Sequence, residues 1–158
     1  MTPGGGAEQP ELFDSGIPDP DLEYVLYCDG ASRGNPGRAA IGFVLLDPRG
    51  EEVLARGQAI GQQTNNVAEY TALLRGLEAA AGLGVRRLRV RLDSELVVRQ
   101  LHGVYKVKHP GLKPLHEAVQ AQRRRFYRFR VEHVPRAENA RADALANAAL
   151  DRLISPQK

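Results

Sequence analysis

The feature that most narrows the fold is the order in which the hydrophobic period changes along the chain. Residues 24–28 (YVLYC) form a short β-rich run, and two further alternating or continuously apolar runs follow at 40–46 and 52–61. Asp47-Pro48-Arg49-Gly50 separates the last two and is turn chemistry. From residue 66 to 83 the spacing becomes helical, with Val67, Tyr70, Leu73, Leu74, Leu77 and Ala81 on one arc, until Gly82 and Gly84 end it. Leu88, Val90 and Leu92 then alternate with Arg87, Arg89 and Arg91 as a strand, and helical spacing resumes over 94–102. A connection at 104–111, a helix over 112–125, a strand over 126–134 and an alanine-rich helix over 138–154 complete the series.

Three consecutive strands followed by strands that alternate with helices predict an α/β domain. Its sheet is expected to be mixed and five-stranded, an antiparallel meander joined to parallel strands by right-handed crossovers, with flanking helices. Its expected extent is residues 23–155. Residues 1–22, rich in Gly and Pro and without periodicity, read as a flexible acidic tail.

Charge sharpens this division. Residues 1–23 hold six acidic side chains and no basic one, so the formal net charge of +3 conceals a body of +9. Between Arg86 and Arg130 thirteen basic residues face only Asp93, Glu95 and Glu117, which points to an anionic partner. One cysteine, Cys28, excludes an intramolecular disulfide framework or a cysteine zinc cage. No apolar stretch is long enough for a spanning helix, and the acidic start lacks the basic and apolar regions of a signal peptide. The expected setting is therefore reducing and cytoplasmic, with no membrane partner, and a monomer is the simplest expectation.

Four carboxylates fall at compatible places in this topology. Asp29 stands just past the predicted first strand and Asp93 just past the fourth, the edge at which open α/β sheets bind ligands. Glu69 and Asp143 border the apolar arcs of the first and last helices. Taken singly, each has an ordinary explanation: Asp29-Gly30 as a turn, Asp93 as a helix cap, Glu69 and Asp143 as solvated helix residues. Together in one cleft they would repel one another, and a divalent cation resolves that conflict. All-oxygen ligands favour Mg2+ or Mn2+, and two such ions suit an in-line phosphoryl displacement.

These residues resemble the signatures of the type 1 ribonuclease H family, within the ribonuclease-H-like fold. Asp29-Gly30-Ala31-Ser32-Arg33-Gly34-Asn35-Pro36-Gly37 is similar to its DG-x-x-x-GNPG run, and Thr64-Asn65-Asn66-Val67-Ala68-Glu69 to its TNN-x-x-E helix start. Asp93-Ser94 matches the DS after the fourth strand, and Asn139 to Ala146 (NARADALA) the N-x-x-AD-x-LA of the last helix. The resemblance runs from about Tyr24 to Leu150.

It implies that Asp29, Glu69, Asp93 and Asp143 hold two Mg2+ or Mn2+ ions. The implied activity is endonucleolytic cleavage of the RNA strand of an RNA/DNA hybrid, leaving 5′-phosphate and 3′-hydroxyl ends. Gly34, Asn35, Thr64, Asn65 and Glu95 are the implied readers of the hybrid. His133, ten residues before Asp143, stands where relatives place a histidine that moves protons or releases product. It lies at the end of a predicted strand, so an ordinary strand histidine is an equal expectation, with Arg136 available nearby. The aromatic and basic handle of many relatives is reduced to residues 104–111, where Lys106 and Lys108 become the expected contacts to the DNA backbone. The alternatives are a non-catalytic hybrid-binding module and a DNA nuclease of the same fold.

Overall fold

The computed structural model describes residues 19–154. Most of the acidic tail expected at 1–22 therefore lies outside the described residues. The sheet forms where the sequence alternates. In β1 (Glu23–Gly34) Tyr24, Leu26 and Cys28 are buried on one face, and Glu23, Val25 and Tyr27 are half-buried on the other. In β4 (Arg87–Leu92) the leucines and valine take the buried face and the three arginines the other. β2 (Gly37–Leu46) and β3 (Glu52–Gln63) complete the meander, and β5 (Arg128–His133) closes one edge. The strand order is β3-β2-β1-β4-β5, with β1–β2 and β2–β3 antiparallel and β1–β4 and β4–β5 parallel. The predicted mixed sheet of five strands is observed.

α1 (Asn65–Gly82), α2 (Glu95–Leu101) and α3 (Lys113–Arg123) follow β3 and β4, and α4 (Ala140–Ile154) follows β5. The main core joins one sheet face, through Leu26, Ile41, Leu45, Leu88 and Val90, to α1, through Leu73 and Leu77, and to α2, through Val97 and Leu101. Each of these fully buried aliphatic side chains contributes about 1.5–3 kcal/mol relative to exposure. α4 packs on the other face of β1, β2 and β3 over a smaller cluster, Ala40, Ala146, Ala149 and Leu150. Its approach is unusually close: a Cβ at Gly42 would stand 2.2 Å from the Ala142 carbonyl oxygen, and one at Gly57 2.3 Å from that of Leu145. Two glycines and the alanines thus set how deeply the last helix sits on the sheet. No helix among the described residues is long and apolar enough to cross a membrane.

Two sequence expectations need correction. The segment after Asp29 is not a loop: β1 continues through Gly34, paired with β2 as far as Gly34↔Gly37, so only Asn35-Pro36 turns. Gly34, Asn35, Pro36 and Gly37 belong to the hairpin tip alone, and pairing with β2 keeps the residues from Asp29 to Arg33 extended. The last helix is also preceded by a separate 3-10 turn, Arg136–Asn139, after Pro135.

Candidate active site

The parallel β1–β4 ladder ends at Cys28↔Leu92, so Asp29 and Asp93 are the next residues on two adjacent strands. β1 continues only against β2, and the two carboxylates occupy the point where β1 and β4 part. The third acid comes from α1. Thr64 caps that helix, its hydroxyl accepting from Val67 N–H at 3.2 Å, and one turn later Glu69 reaches the sheet, where its Oε1 accepts from Gly30 N–H at 2.9 Å. That contact requires a glycine: a Cβ at Gly30 would lie 2.2–2.4 Å from backbone atoms of Ala68 and Glu69.

Asp29, Glu69 and Asp93 each offer a carboxylate oxygen within 4.8 Å of the others. Asp143 lines the same cleft from α4, and Asn147, one turn on, donates to its carbonyl at 3.0 Å and its carboxylate at 3.1 Å. Arg33 in turn donates to Asn147 at 3.3 Å and pairs with Asp151 at 2.8 Å, which ties the hairpin arm to α4. The cleft encloses about 490 Å3 and is lined also by Gly30, Ala31, Ser32, Asn65 and Arg136.

Burial, reinforced by Glu69 and Asp93, pushes the Asp29 carboxyl up to about 9, with the side chain only 5 % exposed. Burial likewise raises Glu69 to about 7 against the opposing Gly30 N–H. Asp93 is raised by burial, while the Asn139 amide and Arg136 hold it down. A buried cluster of acids that resists ionisation, built only of hard oxygen donors, fits a divalent cation.

Asn139 emerged from the sequence only as a letter in a motif. It is fully buried, and its Nδ2 donates to the Cys28 carbonyl at 2.8 Å. That bond takes over at β1 where the parallel ladder stops, and it fastens the start of α4 to the strand that carries Asp29. Arg136, on the same 3-10 turn, supplies positive charge in the cleft wall.

The remaining expected residues divide. Asn35 Oδ1 accepts from Asn65 N–H at 3.0 Å, and Ser32 Oγ donates to Gln63 at 2.8 Å, so the Gly34-Asn35 tip is stapled to the start of α1 beside the cleft. Gly34 adopts φ +116°, which a side chain would strain. Glu95 sits outside the cleft lining and pairs with Arg99 at 2.8 Å. His133 ends β5, exposed and absent from the cleft wall. Lys106 borders a separate depression with Tyr105, Lys113 and His116, and Lys108 is exposed in the same connection.

The family model described as reverse transcriptase-like matches residues 27–149. A ribonuclease HI of Halobacterium salinarum is 47% identical over 134 residues, covering 85% of this chain and 67% of the relative. A bifunctional protein of Mycobacterium tuberculosis is 49% identical over 82% of this chain, which spans only 36% of that relative's length. Among solved structures, LC11-RNase H1 in complex with an RNA/DNA hybrid superposes with a TM-score of 0.80 at 43% identity, covering 84% of this chain and 99% of that one. The carboxylates therefore stand in a fold shared along nearly the whole of such structures, and the chain belongs to the type 1 ribonuclease H family.

Proposed function

We propose that this cleft hydrolyses the RNA strand of RNA/DNA hybrids, leaving 5′-phosphate and 3′-hydroxyl ends. The observation that carries the reading is the meeting of Asp29, Glu69 and Asp93, from three separate elements, within 4.8 Å. Binding alone would not require acids to be buried together, since a nucleic-acid backbone is itself anionic. Two divalent cations, Mg2+ or Mn2+, held by these three residues and Asp143, would supply activation of water and stabilisation of the leaving oxygen. Asp29 and Asp93 provide the rigid base of that ligand set, because each extends a sheet strand. Gly30 N–H orients Glu69, and Asn147 orients Asp143. Arg136 is the cationic group available to a phosphate oxygen in the cleft wall. His133, exposed at a strand end outside the cleft lining, is assigned no proton transfer.

The stapled tip at Gly34-Asn35 and the start of α1 at Thr64-Asn65 form the surface on which ribose 2′-hydroxyls would be read. Lys106 and Lys108 would meet the DNA backbone; Glu95, paired with Arg99, is a weaker candidate reader. The catalytic unit in this reading is residues 23–155, acting as a monomer in a reducing cytoplasmic setting, to which a single buried free cysteine is suited. The relative solved with a hybrid supports the substrate class.

The test is incubation with matched RNA/DNA, RNA/RNA and DNA/DNA duplexes in Mg2+, Mn2+ or chelator. Cutting confined to the hybrid's RNA strand and lost in chelator is expected. Comparable cutting of the DNA duplex would overturn the reading.

A further inference from the structure

α4 covers β1, β2 and β3 on its side of the sheet, and the same face of β4 and β5 carries arginine where a helix would demand apolar residues. Register arranges this surface in three rows: Glu23–Arg87–Arg128, Val25–Arg89–Arg130 and Tyr27–Arg91–Glu132. The two glutamates are fully engaged. Glu23 holds Arg89 at 3.2 Å and Arg130 at 2.9 Å, and Glu132 holds Arg91 at 2.7 Å. Arg87 and Arg128 are left without a carboxylate partner among the described residues, and the buried Nε of Arg87 meets no acceptor there.

Tyr127, 66% exposed, directly precedes Arg128 in the chain and lies against Arg86 and Arg87. The guanidinium of Arg87 lies 4.9 Å from its ring centroid and that of Arg86 5.6 Å. Arg86 has only a loose 3.7 Å contact with Asp21. These cation–π contacts restrain both guanidinium groups, which lowers the entropic cost of presenting them to an anion. Arg124 and Arg125, three and two residues before Tyr127, add exposed charge. The cluster lies at the N-terminal end of β4, ~20 Å along the strand from Asp93 and so at the opposite end of the strand from the acids.

We propose that Arg86, Arg87 and Arg128 around Tyr127 form a second nucleic-acid site, one that takes the phosphate backbone of a single strand independently of the catalytic cleft. Charge complementarity selects a polyanion. A surface only two strands wide, ~5 Å between neighbours, suits one extended backbone better than a duplex. The site gives sequence-independent, salt-sensitive affinity and takes no part in the chemistry. It stands apart from the cleavage reading, because it is tested on DNA that is not cut, with metal chelated.

The experiment is fluorescence anisotropy of a labelled ~20-nucleotide oligo-dT across a salt series, comparing the full chain with R86Q/R87Q/R128Q, Y127A and K106Q/K108Q. Loss of three phosphate contacts is expected to weaken binding about tenfold or more and to make the log–log salt slope shallower by about 2. Y127A, which keeps every charge, is expected to lose about threefold by unseating two guanidinium groups and so guards against a folding artefact in the triple variant. K106Q/K108Q should leave the arginine-dependent part of the slope intact, and turnover of a short hybrid by the triple variant should stay within about twofold of the parent. An unchanged slope in the triple variant would overturn the proposal, leaving the face an ordinary solvated surface. Displacement of the labelled oligonucleotide by polyglutamate at a lower concentration of charge than unlabelled oligo-dT requires would overturn it too, by making the face a site for acidic protein segments.

Discussion

The two ends of β4 hold like charges in opposite ways. At the C-terminal end Asp93 joins Asp29 and Glu69 in a cleft where burial raises all three carboxyls. At the N-terminal end and along the helix-free face, arginines stand side by side at the surface, most of them paired with Glu23 or Glu132. Solvent and neighbouring carboxylates make the second arrangement inexpensive, whereas the first is unfavourable unless something positive enters. Acids buried together suit a cation, and cations exposed on a flat face suit the polyanion proposed above.

The strongest way to break this contrast is to remove one acid. Asp29→Asn or Asp93→Asn should reduce hybrid cleavage by ~10³-fold or more, read as single-turnover rate, because the ligand set is lost while the fold stays. Oligo-dT binding at the arginine end should be unchanged. If both activities fell together, the two ends would not be independent.

Gly30→Ala tests whether the acids depend on backbone contact. The added Cβ, 2.2 Å from the Ala68 backbone, must push α1 from β1 and carry Glu69 with it. A loss of about 2–3 kcal/mol in denaturant unfolding is expected, with cleavage reduced far more than the stability loss explains.

The pH dependence sharpens the comparison through stability alone. In chelator the folded protein keeps protons on Asp29 up to about 9 and on Glu69 up to about 7, whereas the unfolded chain releases them near 3.8 and 4.5. Between those limits the native state binds more protons, so stability must fall as pH rises through the window. Calorimetry should show Tm decreasing from acid to alkaline pH, a shallower decline in Asp29→Asn, and a higher Tm for that variant at alkaline pH. Each kcal/mol relieved corresponds to about 2–4 °C. A divalent cation should flatten the parent's decline, and arginine-face variants should leave it unaltered.

The smallest effect is expected at His133. Exposed at the end of β5 and outside the cleft wall, it should tolerate His133→Ala with hybrid turnover within about twofold of the parent. A larger loss of kcat would return it to the chemistry and give the acidic end a mobile proton carrier.

Much of the arrangement was legible in the chain. Alternation of arginine with Leu88, Val90 and Leu92 specified β4 and both of its faces, because a strand has a side-chain period of two. The motif residues located Asp29, Glu69, Asp93 and Asp143. Less legible were Asn139 and Arg33, whose partners Cys28 and Asn147 lie on chain-distant elements that no local pattern encodes. The length of β1 is not a local property either: Gly34 and Pro36 mark a turn, and pairing with β2 decides how near to that turn the strand extends.

By itself the sequence determined the order of strands and helices, the four acids, the family signatures and the surplus of arginine, since period, turn chemistry and charge are local properties. Tertiary structure alone decided that three acids share one buried volume, that Gly30, Gly42 and Gly57 admit α1 and α4 to backbone contact, and that Arg87 and Arg128 are left over after Glu23 and Glu132 choose their partners. Desolvation and pairing depend on what chain-distant residues bring to the same place, and only the folded sheet sets those distances.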